Sequence, residues 1–413
     1  MKYLIEITFL SVIKLILEYV FQYYITDVFA YELYTFNYNH NKYIVGWIVF
    51  IVIHLILYLK RKHPLNILFL ILFIIYLIPN IILYGYSNKN TTFFIAISVS
   101  FIIIFLFTKK SFNTTFKFKD GVPIILIISL LLTIVVILNL FITTKGHYVL
   151  KFDDVYAHRL KYSSSFAGIF GYLNGWVARV FAVFLFAWNV YKKNRLNTFL
   201  FMFVIASIYA FSGHKSILTS IVMVILFYNI YKFNNYQRII LISAFLVLIS
   251  LISYSAMGGN IKIGSLLLRR TFFVPANLNY VYYDFFSKNE YIYWSNSILK
   301  RFIHYPYPLT ATHMIGKYLG HPEMGANTGL IGSAFMHAGY LGVIIYTIFS
   351  VIVLNLVIFL SKNINLFLLT AILYTPITTM FINSDFFTTM LTHGFIILIF
   401  ILFFIDEKNK NKT

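Results

Sequence analysis

The stretch HPEMGANTGLIGSAFMHAGYLG, from His321 to Gly342, gathers chemically active side chains where a glycine-rich loop becomes an apolar helix. Histidine titrates near neutrality and a partly desolvated glutamate can be raised towards it, so His321, Glu323 and His337 are each suited to take a proton from a hydroxyl. Each also has a structural reading: His321 as a solvated loop residue, His337 as a helix residue bonded to a backbone carbonyl. Gly325, Gly329 and Gly332 precede the apolar core, which favours a functional turn whose amides approach a ligand. Gly339 and Gly342 fit close helix packing.

A second group is cationic. Arg269 with Arg270, and Lys300 with Arg301, are pairs in apolar, aromatic surroundings. Arginine offers a planar fork and lysine a point charge, so such pairs suit a phosphate held at headgroup depth, and equally an anchor to phospholipid. Arg179 lies in GYLNGWVARVFAVFLF, inside an apolar run; it faces a bundle interior or aqueous cavity, snorkels, or pairs with Glu6 or Glu18. In the turn FSGHKS, residues 211–216, Gly213 allows a tight bend that presents His214 and Lys215 as donors, or is a plain polar turn. Arg159 belongs to KFDDVYAHRLK, where Asp153 and Asp154 beside His158 would hold a divalent ion or pair with Arg159. The ion pair is the simpler account, so neither metal nor cofactor is expected.

The composition says which elements must hold these groups. The 413 residues are 60% hydrophobic and 11% charged, with a mean hydropathy of +0.81, against a soluble balance of about half apolar and about a quarter charged. The expected fold is all-α: a polytopic integral membrane protein forming one transmembrane domain over 1–413. The formal charge of +20 sits largely in short loops, where topology and anionic lipid explain it, so nucleic acid is not an expected partner. Without cysteine, disulfides, thiolate metal sites and thiol catalysis are excluded. The first residues carry Glu6, Lys14 and Glu18 and no small-residue cleavage site, which reads as a retained helix with Lys14 and Glu18 paired.

Apolar runs long enough to cross a bilayer fall near 3–25, 43–59, 64–83, 92–108, 121–142, 166–190, 197–212, 216–231, 239–256, 329–360, 365–382 and 386–405, about twelve helices. With both termini cytoplasmic, the basic clusters around Lys60, Lys109, Lys117, Lys192, Lys232 and Lys362 all fall on the inner face. The outer face then holds one moderate loop, 143–165, and one large loop, 257–328. Structureless loops of the second length are uncommon, so it is read as functional, with short helices lying at headgroup level. Neither internal repeats nor broken midplane helices are legible, which argues against a transporter.

The turn SGHKS, the segment RRTFFVPANLNYVYYDFFS, the large penultimate outer loop and ANTGLIGSAFMHAGYLGVIIY closing it, taken together in this order, resemble the oligosaccharide repeat-unit polymerases that build O-antigen and capsular polysaccharides. The resemblance covers nearly the whole chain. It implies a C-type membrane glycosyltransferase that moves a growing glycan from one polyprenyl diphosphate onto a fresh lipid-linked unit, outside the cytoplasmic membrane. On that reading Arg159, Arg179, Lys215, Arg269, Arg270 and Arg301 grip the diphosphate, and His214, Gly325 and Gly329 line the substrate vestibule.

The base is one of His321, Glu323, His337 and Asn327. The related O-antigen ligases share a histidine with ten residues between it and a glycine, a spacing that His321 and Gly332 satisfy, whereas alignment on Gly339 and Gly342 puts Asn327 or Thr328 there. The implied partners are polyprenyl-diphosphate-linked oligosaccharide, membrane lipids, a chain-length regulator and a flippase. An O-antigen ligase and a transporter of lipid-linked oligosaccharide are the competing functions.

Overall fold

The computed structural model describes residues 2–108, 117–118, 120–151, 154–162, 168–214, 216–233, 237–256 and 265–406. All regular structure among them is helical. In chain order the main helices are Lys2–Val20 (α1), His40–Leu59 (α2), Asn66–Tyr86 (α3), Thr91–Phe107 (α4), Gly121–Thr143 (α5), Val155–Lys161 (α6), Ile169–Tyr191 (α7) and Arg195–Ser212 (α8). Ser216–Lys232 (α9), Gln237–Ala256 (α10), Val274–Phe286 (α11), Ala311–Tyr318 (α12), Leu330–Leu360 (α13), Leu366–Asn383 (α14), Phe386–Leu391 (α15) and Phe395–Phe404 (α16) follow. The helix starts are written locally: Asn39, Asn90, Asn194 and Asn365 each accept a hydrogen bond from a backbone N–H two or three residues on, at 2.9–3.1 Å.

Among the described residues seven helices, α2, α3, α5, α7, α8, α13 and α14, are long and apolar enough to cross a membrane. The most apolar window of α3 is 94% buried, whereas those of α2, α5 and α8 are each 28% buried. An apolar helix that keeps most of its surface uncovered needs an apolar solvent, which is the signature of a polytopic membrane protein.

The chain divides into two compact units, the first being Met1–Thr108, Tyr236–Ile352 and Met380–Phe386, the second Lys109–Asn235, Val353–Thr379 and Phe387–Thr413. In unit 1, α1 packs on α10 and α2 on α3. Its buried charges are matched: Lys14 bonds Glu18 and lies 3.7 Å from the Trp47 ring, and Glu6 bonds Arg61. Asn279 of α11 donates to the Tyr76 hydroxyl (3.2 Å) and accepts from Thr328 (3.3 Å) and the Gly332 N–H (3.2 Å), tying α3, α11 and the start of α13 together.

Three expectations need correcting. Residues 274–286 do not lie at a surface: ten side chains of α11, from Pro275 to Phe286, are buried, because its Tyr and Phe residues make it apolar all round. The 329–360 run is interrupted at Ala338 (φ −156°, ψ 34°) and Gly339 (φ 58°), a left-handed geometry that suits glycine. The 386–405 run is likewise divided into α15 and α16 by a turn at 392–394, with Gly394 at φ 82°. Broken helices are therefore present, contrary to the reading of the sequence.

In unit 2, α7 packs against α5, α8 and α14, and α9 against α14. The Lys117 ammonium donates to the carbonyls of Leu360, Leu402 (2.6 Å) and Ile405 (2.8 Å), closing two helix C-termini with positive charge.

Gly329 occupies a close backbone approach in unit 1: a Cβ there would collide with the Phe381 carbonyl oxygen. At Gly325 the nearest atom to such a Cβ is 3.8 Å away. Gly329→Ala should lower stability by about 1–3 kcal/mol and Gly325→Ala should leave it unchanged, read as thermal denaturation of the detergent-purified protein.

Candidate functional site

Unit 2 contains a cavity of about 350 Å³ lined by Arg159 of α6, Asn174 and Arg179 of α7, Ser212 and His214 at the α8–α9 turn, and Thr392 and His393 from the turn between α15 and α16. Gly213 ends α8 at φ 69°, which turns the chain and exposes its carbonyl to Arg159 Nε at 3.0 Å. The neighbouring His158 ring donates to the Phe211 carbonyl at 2.8 Å, so two consecutive residues stitch α6 to the turn. On the opposite wall Gly175 lets α7 meet the Thr392 carbonyl, where any Cβ would collide, and Trp176 Nε1 donates to the Leu391 carbonyl. That contact seats the 392–394 turn on α7 and brings His393 into the same cavity as Arg179.

Among the described residues, no aspartate or glutamate lines this cavity. The Arg179 guanidinium, facing a partly desolvated space with no lining carboxylate among the described residues, favours a ligand that brings its own negative charge. Burial, and then the positive charges of Arg159 and Arg179, push the His214 imidazole down to about 3, so it is neutral at physiological pH. His393 Nδ1 is buried and has no hydrogen-bond partner among the described residues. A buried imidazole nitrogen in that condition is open to a hydrogen bond with a hydroxyl or water.

Arg159, Arg179 and His214, singled out from three separate stretches, thus share one cavity. Lys215, like Asp153, lies outside the described residues. Arg269 is buried in unit 1, bonded to Glu32 and 4.3 Å from the Phe29 ring, so its charge is already matched. Arg270 and Arg301 are exposed. His321, Glu323 and Asn327 are exposed on the loop leading into α13, with the His321 ring 5.7 Å from that of Tyr31. Gly329 serves the close approach to Phe381, and Gly325 lies on the same loop, where an added Cβ would make only ordinary contacts with Thr312 and His313.

His337 is fully buried in unit 1, at the last residue before the break in α13. Its Nδ1 accepts from the Trp294 backbone N–H (3.1 Å), which leaves Nε2 protonated and donating to Asp385 (3.1 Å). Tyr346 also donates to Asp385 (2.6 Å), and Trp294 Nε1 donates to Tyr346 (2.9 Å). With both nitrogens bonded and no surface exposed, His337 holds structure together in this arrangement rather than facing a substrate.

Reading the sequence missed His393 and Asn174. The signal for the first was present: Thr-His-Gly at 392–394 is turn chemistry inside an apolar run. Asn174 had no such mark, being one amide in a helix. Among the described residues no group of three His, Asp or Glu side chains could hold a metal ion.

The depressed His214 value sets a pH dependence. The unfolded imidazole titrates near 6.5 and the folded one near 3, so the unfolded state binds more protons between those limits. This contribution to stability is complete above 6.5 and is lost as pH falls towards 3. His214→Gln should flatten the decline in melting temperature between pH 7 and 5 relative to the parent; an unchanged slope would contradict the assignment. No protein-family model, no curated protein and no solved structure matches this chain.

Proposed function

We propose that this chain is a multi-pass membrane glycosyltransferase that polymerises polyprenyl-diphosphate-linked oligosaccharide repeat units into surface polysaccharide on the outer face of the cytoplasmic membrane. The observation that carries the reading is the unit 2 cavity, which brings Arg159 and Arg179 together with the imidazoles of His214 and His393. In the twelve-span topology, the seven long helices are joined by α1, α4, α9, α10 and the α15–α16 pair, and both termini lie inside. That topology puts the 211–216 turn, and with it the cavity mouth, outside.

Diphosphate is a good leaving group once its charge is held, so preorganised cations supply the largest share of catalysis. Arg159 and Arg179 hold the diphosphate of the donor. His393 Nδ1 takes the proton from the acceptor sugar hydroxyl as its oxygen bonds to the donor's anomeric carbon. The bond from that carbon to the diphosphate oxygen breaks, its electron pair leaves with the lipid diphosphate, and the imidazolium returns its proton to water. Neutral His214 donates a hydrogen bond within the same space. His321, Glu323 and Asn327, exposed on their loop, are not needed as the base in this scheme.

A second reading has one observation in its favour. The breaks in α13 and between α15 and α16 are the discontinuous helices with which transporters bind anionic substrates, which keeps a flippase of lipid-linked oligosaccharide in view.

Purified protein in proteoliposomes, given a defined lipid-linked repeat unit, should form a ladder of lipid-linked polymers. Arg159→Gln and Arg179→Gln should each slow it by about 10²–10³-fold and His393→Gln by about 10²–10⁴-fold, with unchanged elution on gel filtration. A full ladder from the Arg159→Gln, Arg179→Gln double variant sinks the polymerase reading. Movement of the unit across the bilayer without elongation establishes the flippase instead, and transfer of preformed polymer to a different acceptor establishes the ligase.

A further inference from the structure

We infer that the cavity of about 760 Å³ formed by residues 287–306 of unit 1 is a glycan subsite for uncharged sugar residues, with Tyr293 as its stacking platform. The inference starts from backbone strain. Tyr293 (φ 40°) and Trp294 (φ 57°) are consecutive non-glycine residues in the left-handed region, a conformation bulky side chains avoid unless their surroundings impose it.

The surroundings here are the broken helix. The break at Ala338 and Gly339 frees the carbonyls of Met336 and His337, and these accept from the backbone N–H groups of Ile292 (3.1 Å) and Tyr293 (3.0 Å). The next N–H, that of Trp294, donates to His337 Nδ1. Trp294 is then locked inward, stacked on His337 with centroids 5.0 Å apart and planes 11° apart. Tyr293 is driven the other way and stands 47% exposed at the cavity edge. Three hydrogen bonds to one helix end thus hold a strained turn whose visible result is an outward-facing aromatic ring.

The remaining lining fits a sugar better than a lipid or a nucleotide. A pyranose has an apolar face of C–H groups and a rim of hydroxyls, so it needs an aromatic surface surrounded by mixed donors and acceptors. Tyr291 lies 6.2 Å from Tyr293 in an edge arrangement, while Lys288, Glu290 and His304 supply the polar rim. Lys288 and Glu290 offset each other, which favours uncharged residues over uronates or phosphates. The volume lies within the usual ligand-pocket range of about 300–1,000 Å³. This deepens the glycosyltransferase reading and rests on it for the use made of the glycan; binding itself can be measured separately.

The test uses the full chain in lipid nanodiscs and oligosaccharides released by mild acid from the host cell's own surface polysaccharide, split by anion exchange into neutral and acidic fractions. The neutral fraction should bind in calorimetry. Tyr293→Ala should weaken it at least tenfold and Tyr293→Phe should keep it. Tyr293→Gly removes the ring while suiting the left-handed backbone, so its loss of binding cannot be put down to misfolding. The inference is overturned if the neutral fraction does not bind, if only the acidic fraction binds, or if Tyr293→Gly binds normally. Tyr293-dependent binding in a protein that forms no polymer leaves the subsite standing and removes the polymerase reading.

Discussion

A helix interrupted inside a membrane-embedded chain leaves carbonyls and N–H groups that only protein can bond, because hydrocarbon offers no substitute for water. Both candidate sites grow from that constraint. At Ala338 and Gly339 the freed carbonyls of Met336 and His337 recruit the 292–294 segment, and the bonds that satisfy them hold Tyr293 and Trp294 in a strained turn. At 392–394 the turn settles on α7 where Gly175 permits contact, and His393 enters a cavity with Arg179. In each case the break serves as the device that brings a reactive or aromatic side chain to an open space.

In unit 1, Lys14 is matched by Glu18, Arg61 by Glu6 and Arg269 by Glu32, as burial demands when no ligand is to arrive. Removing one partner of such a pair leaves an uncompensated charge, so these residues read as architecture. In unit 2, Arg159 and Arg179 line one cavity, and a neighbouring imidazole is held neutral.

His337 shows why residue type alone misleads. Histidine near a loop–helix junction is a reasonable base, and the surrounding glycines strengthen that impression. The fold instead engages both ring nitrogens, with the Trp294 N–H on one side and Asp385 on the other, and buries the ring completely. Its contribution passes through Trp294 and the strained turn. Asp385 and Tyr346, which complete the network, carried no mark in the sequence because their partners lie 48 and 39 positions away.

The amino-acid sequence by itself determined the helical class, the long apolar segments and several helix starts, because hydrocarbon length and asparagine capping are local properties read a few residues at a time. It also picked out Arg159, Arg179 and His214, since charge and turn chemistry inside apolar stretches stand out without any knowledge of neighbours. Only the tertiary structure decided that these three share a cavity with His393, that Arg269 is matched by Glu32, and that His337 is locked away. Those outcomes depend on which distant carbonyl, carboxylate or ring arrives beside a side chain, and that is fixed by packing between segments up to 237 positions apart.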